Sequence, residues 1–75
     1  MDNTEFYRAM LGWYIGEMRR RKPSAEEFPK TAQAYDRDIW EARQVRKQRT
    51  ITHRDVWSMF DRMSDFALML YAESP

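Results

Sequence analysis

The sequence predicts an all-α domain, a small three-helix bundle with an extra short helical turn around residues 24–28. Three observations predict it. Apolar residues recur at three- and four-residue spacing in three separate stretches, with no strand-like alternation. Start and stop signals bracket those stretches. The 75 residues include only 2 Gly and 3 Pro against 4 Phe, 4 Tyr, 3 Trp and 6 Met, a composition that can pack a core. The length fits one domain, residues 1–75, with no internal repeat.

The first helix is expected over about Thr4 to Arg21. Asp2 and Glu5 have capping-box spacing. Phe6, Tyr7, Met10, Leu11, Tyr14, Ile15 and Met18 form its apolar side. Opposite them run Ala9, Gly12 and Gly16. Each glycine costs about 1 kcal/mol in a helix relative to alanine. The stripe reads either as a close approach by another backbone, within the fold or in a dimer, or as a solvated face. Pro23 stops the helix. Ser24 and Glu27 bracket a short turn from Ala25 to Phe28, which Pro29 closes.

The second helix is expected from Ala32 to about Gln48, with Thr31 as N-cap. Its apolar stripe, Ala32, Tyr35, Ile39 and Ala42, is narrow. Acidic Asp36, Asp38 and Glu41 come early and basic residues late, which suits the helix dipole. The third helix has the fullest start signal: Thr52 as N-cap, Asp55 three residues on, and Ile51 with Val56 as hydrophobic staple. Val56, Met59, Phe60, Met63, Phe66, Ala67 and Leu70 then predict one continuous core helix to the carboxyl end.

The residues for most site chemistry are missing. There is no cysteine, so neither disulfides, thiolate zinc sites nor cysteine nucleophiles are available. His53 is the one histidine, and Ser24, Ser58, Ser64 and Ser74 lack a nucleophile-elbow context. Asp61 and Asp65 share a helix face beside Arg62 and Ser58, which reads as a solvated outer surface. No glycine loop cradles a phosphate. The expectation is a protein without catalytic residues, cofactor or metal. The opening Met1-Asp2-Asn3-Thr4-Glu5 is acidic and polar, unlike a signal peptide, and no apolar run approaches about 20 residues. A cytoplasmic protein with no membrane partner is expected.

Thirteen basic and 12 acidic residues give a net charge of +1, so any polyanion must be gripped by a local cluster. Two clusters exist: Arg19, Arg20, Arg21 and Lys22, and Arg43, Arg46, Lys47 and Arg49. Both end helices, where cations are favoured without a ligand. Antiparallel first and second helices would hold them about 25 Å apart. A helix-turn-helix using Arg54 and Trp57 is opposed by Asp55, Asp61 and Asp65 on the same helix.

Several large apolar groups lie off the core faces: Trp40 on the second helix, and Trp57, Leu68 and Tyr71 on the third. Aromatics beside arginine are the composition of interface hot spots. The expected interface is therefore Trp40, Arg43, Arg46, Trp57, Leu68 and Tyr71, covered by a larger protein or by a second copy in a homodimer.

Two segments resemble a known family. Glu5-Phe6-Tyr7-Arg8-Ala9-Met10-Leu11 is similar to the opening Phe-Tyr and leucines of the YozE-type short bacterial proteins. Phe28-Pro29-Lys30-Thr31, followed by Tyr35 and Ile39, resembles their central segment, and Met59-Phe60-Asp61 echoes a later one. The resemblance implies a SAM-like helical domain and no catalytic residue. The functional expectation is a non-catalytic protein-interaction module, such as a regulator or a phage- or plasmid-type inhibitor docking on a larger host protein. The alternative is a nucleic-acid-binding accessory protein that uses the two arginine-rich helix ends.

Overall fold

In the computed structural model, which describes residues 2–75, α1 covers Thr4–Arg21, α2 Pro29–Arg46, α3 His53–Phe60 and α4 Met63–Glu73. The described residues contain no strand, so the all-α bundle stands, in an elongated form of 49 × 17 × 15 Å. No helix is long and apolar enough to cross a membrane among them.

The expected third helix is two. Residues 61 and 62 stay near helical dihedrals, but the Arg62 N–H donates to the carbonyl of Met59, three residues back, and so tightens the turn. Neither glycine nor proline marks the place. The break lets one apolar run serve two partners. α3 packs on α1, where Phe60 meets the Tyr14 ring at 5.1 Å between centroids. α4 packs on α2, where Phe66 meets Tyr35 at 4.6 Å. Asp61 and Asp65 accordingly lie on either side of the break rather than on one helix face, and Ala67 is exposed.

The core holds Leu11, Tyr14, Ile15 and Met18 of α1, Tyr35, Ile39 and Ala42 of α2, Ile51, then Val56, Met59 and Phe66. Phe6, expected on the apolar side, is exposed. The α3 start forms as read: Thr52 Oγ1 accepts from the Asp55 N–H at 3.2 Å, and Asp55 Oδ2 accepts from the Thr52 N–H at 2.9 Å. The staple residues Ile51 and Val56 are both buried.

Two helix starts differ from expectation. At α1 the N-cap position is Asn3, with no side-chain cap. Asp2 instead accepts from the Thr4 N–H at 2.8 Å and from the Thr4 hydroxyl. Buried Thr4 in turn accepts from the Ile51 N–H at 3.2 Å, tying the α2–α3 loop to α1. At α2 the helix begins three residues before Ala32, because Pro29 is its first residue rather than a terminator, a position that suits a ring with fixed φ and no N–H. Thr31 is inside the helix and is not its cap. The first-turn N–H groups of Lys30 and Thr31 donate to Glu73, from the end of α4, at 2.8 Å each, and the Thr31 hydroxyl donates to it at 2.6 Å. The connector does hold one turn at Ala25–Glu27, in which Phe28 N–H donates to Ser24 O at 2.8 Å.

Candidate functional site

α1 carries two grooves. At about 100° per residue, Phe6, Tyr7 and Met10 lie on one flank of its core stripe, and Arg8, Gly12, Gly16 and Arg19 on the other. The two grooves therefore open on opposite sides of the helix.

The first groove is apolar and enclosed by α1 and α3. Phe6, Tyr7 and Met10 face His53, Val56, Trp57 and Phe60 around about 440 Å³. Trp13 extends its rim by stacking on Phe60, with ring centroids 5.8 Å apart and planes 6° from parallel. Trp57 is 56% exposed, and Phe6 and Trp13 are similarly open. The Trp57 indole N–H donates to His53 Nε2, so that imidazole nitrogen acts as an acceptor in a surface aromatic cluster with Tyr7.

The second groove lies between α1 and α2 and encloses about 580 Å³. Arg8, Arg19, Arg43, Arg46 and Lys47 line it with no carboxylate. Arg46 crosses the small-residue stripe: a Cβ on Gly12 would sit 3.3 Å from its Nε and Nη2, while nothing lies within 4 Å of one on Gly16. The close approach at this stripe is thus a guanidinium, not a backbone. Arg46 Nε donates to the Arg8 carbonyl at 3.1 Å, and Arg8 donates to the carbonyls of Arg46 and Gln48, the latter at 3.3 Å. Arg8 so caps the carbonyl end of α2, and Arg46 ties that end back to α1.

Of the first basic run only Arg19 joins the second in this groove. Lys22 Nζ pairs with Asp36 at 2.8 Å, and Arg46 meets Gly12. The reciprocal bonds between Arg8 and Arg46 set those two residues level in an antiparallel register, with Arg19 near Tyr35 and Trp40 near Tyr14. Arg19 is then about eight residues, or roughly 12 Å, along the axis from Arg43. Helical side chains also tilt toward their own N-terminus, so in an antiparallel pair these two lean together. The rest of the first run is engaged elsewhere. Arg20 and Arg21 bond Glu17 at 2.7 and 3.5 Å, and the Arg20 hydrogen bond holds the Glu17 carboxyl below its usual range. Arg49 lies outside the groove lining.

The six expected interface residues do not share one surface. Trp57 belongs to the aromatic groove, whereas Arg43 and Arg46 belong to the basic one. Trp40, 60% exposed, shares an arc of about 60° on α2 with Asp36, Arg43 and Lys47, at the edge of the basic groove. Leu68 and Tyr71 are exposed on α4, in neither groove. Helical periodicity puts Phe6 and Met10 on the core side and gives Trp13 no role; only α3 lying along one flank of α1 makes them groove walls.

A third polar cluster is structural. Asp38, 2% exposed, accepts from the Tyr14 hydroxyl and, at 3.1 Å, from Arg62, which also pairs with Glu41. Burial, reinforced by Asp38, pushes the Tyr14 phenol far above its usual range, so it remains a donor. Arg62 points inward here, not along the outer face of a continuous helix. No three His, Asp or Glu side chains converge as a metal site among the described residues. Compared with family models, curated proteins and solved structures, the chain matches none.

Proposed function

We propose that this chain is a non-catalytic protein-interaction module that docks an apolar helix of a larger protein into the groove between α1 and α3. One observation carries the reading: Phe6, Trp13 and Trp57 stand open to solvent around a groove that is already formed. Monomeric proteins seldom leave contiguous aromatic surface uncovered. Tryptophan and methionine in a concave patch are what anchoring side chains of a partner require. Two flanking helices make a trough of the kind that receives an amphipathic helix through residues three and four apart. A regulator or inhibitor acting on a larger host protein fits this small size.

The test is photo-crosslinking in the native host. Benzoylphenylalanine at position 6 should give an adduct with a heavier protein, and the same group at position 71 should not. Trp57→Ala should remove the adduct with unchanged helical circular dichroism, since a central tryptophan contributes at least about 2 kcal/mol to such interfaces. Adducts arising only from position 71, or an adduct of two copies of this chain, would reject the reading.

A further inference from the structure

We infer that the groove between α1 and α2 is a binding site for single-stranded nucleic acid, which it holds by its phosphates along Arg8, Arg19, Arg43, Arg46 and Lys47 and by a base stacked on Trp40.

Charge distribution comes first. The molecule is almost neutral, with 13 basic and 12 acidic residues. Nonetheless five cations line one groove with no carboxylate in its lining, and of the five only Arg8 is ion-paired, with Glu5 at 3.3 Å. Fold formation accounts for two of them, since Arg8 and Arg46 hold the end of α2. It leaves three unexplained. Arg19, Arg43 and Lys47 have no ion-pair partner among the described residues, although Glu17 takes Arg20 and Arg21 and Asp36 takes Lys22.

Geometry favours a strand over a point ligand. Arg8 to Arg19 spans about 16 Å of α1, room for about five stacked nucleotides at 3.4 Å each. Neither glycine puts a side chain into the path, and Gly16 leaves its floor open. The aromatic group decides the class of polymer. The helix register sets Trp40 level with about Tyr14, between Arg8 and Arg19 along the groove, and its indole is largely exposed. A cationic groove with an open aromatic ring is how proteins hold unpaired bases: phosphates supply charge, and a ring stacks on any base. A duplex keeps its bases stacked internally and has no use for Trp40. An acidic peptide would use the cations alone. The aromatic groove lies across α1, so the two sites do not compete for surface.

The test is fluorescence anisotropy with a labelled oligo(dT) of about 12 nucleotides, titrated over a range of salt. Three to five neutralised phosphates predict a slope of log affinity against log salt between about −2 and −3.5. The triple variant Arg19→Ala/Arg43→Ala/Lys47→Ala should flatten that slope by about 2, from three lost contacts. Trp40→Ala should weaken binding at least about fivefold with the slope unchanged, the low end of what one stacked base contributes. Circular dichroism confirms that each variant is folded. No binding at low salt overturns the inference. So does equal affinity for a duplex or for polyglutamate together with a silent Trp40→Ala, which would mark an acidic protein segment as the occupant.

Discussion

Asp38 shows how one buried charge organises this fold. It sits inside the bundle with the Tyr14 hydroxyl on one oxygen and Arg62 on the other. An isolated carboxylate there would be intolerable, and two donors make it acceptable. Asp38→Ala should cost about 2–3 kcal/mol in urea unfolding. That is below the usual 3–5 for breaking a buried pair because Arg62 is part-exposed and can turn to water and Glu41. Tyr14→Phe should cost about 1–2 kcal/mol, and its loss leaves one oxygen of Asp38 short of a donor. Equal stability of Asp38→Ala and wild type would mean the network is incidental. The glycines make a paired test. Gly16→Ala meets open space and should stabilise by about 0.5–1 kcal/mol through helix propensity. Gly12→Ala gains the same propensity but presses on Arg46, whose Nε is held by the Arg8 carbonyl. It should come out near neutral or destabilising, so the difference between the two variants measures that contact.

At the scale of elements, α2 depends on α4 for its beginning. No local side chain caps α2, and Glu73 supplies both carboxylate oxygens to its first turn. Partial desolvation raises the Glu73 pKa, but hydrogen bonds from Thr31 and Lys30 outweigh it and leave the folded value below the ordinary 4.5. A depressed folded pKa gives stability that is complete above the unfolded value and fades as pH falls through the folded one. Glu73→Gln should therefore lower the melting temperature at pH 7, and the gap to wild type should close at pH values below the carboxylate range. A gap that persists in acid would exclude the charge as its origin. This contact also shows why some elements were legible in sequence and others were not. Thr52, Asp55, Ile51 and Val56 lie within six consecutive positions, so the α3 start could be read directly. Glu73 is 43 residues from Lys30 and Asp38 is 24 from Arg62; neither pairing leaves a local trace. The surplus of aromatics was visible, but its walls were not, because Phe6 and Trp13 become a groove only when α3 lies beside α1. Both basic runs were visible too. That Arg19 joins the second depends on the antiparallel register and on side chains leaning toward each other, neither of which periodicity reports.

For the whole molecule, a net charge of +1 conceals an uneven distribution. Acidic side chains pair with Arg8, Arg20, Arg21, Lys22 and Arg62, while Arg19, Arg43, Arg46 and Lys47 line one groove without an ion-pair partner among the described residues. Two effects of opposite sign act on them. Arg43 lies in the last turn of α2, where the helix dipole favours a cation by about 0.3–1 kcal/mol. Against that, like charges about 8 Å apart in water repel by about 0.5 kcal/mol per pair, and Arg43 shares the groove with three cations that have no carboxylate, Arg19, Arg46 and Lys47. Repulsion wins at low ionic strength and is mostly lost at 0.15 M, where the screening length is about 8 Å. Arg43→Gln should therefore raise the melting temperature in low salt by about 4–8 °C, the shift that about 1 kcal/mol produces in a domain of this size. The two proteins should converge as salt is added, and wild type should gain more from it. If Arg43→Gln instead melts lower at low salt, the cations are held for the fold and not against it. The outcome bears on function without any ligand, because a groove that destabilises its own protein when empty is stabilised by whatever anion fills it.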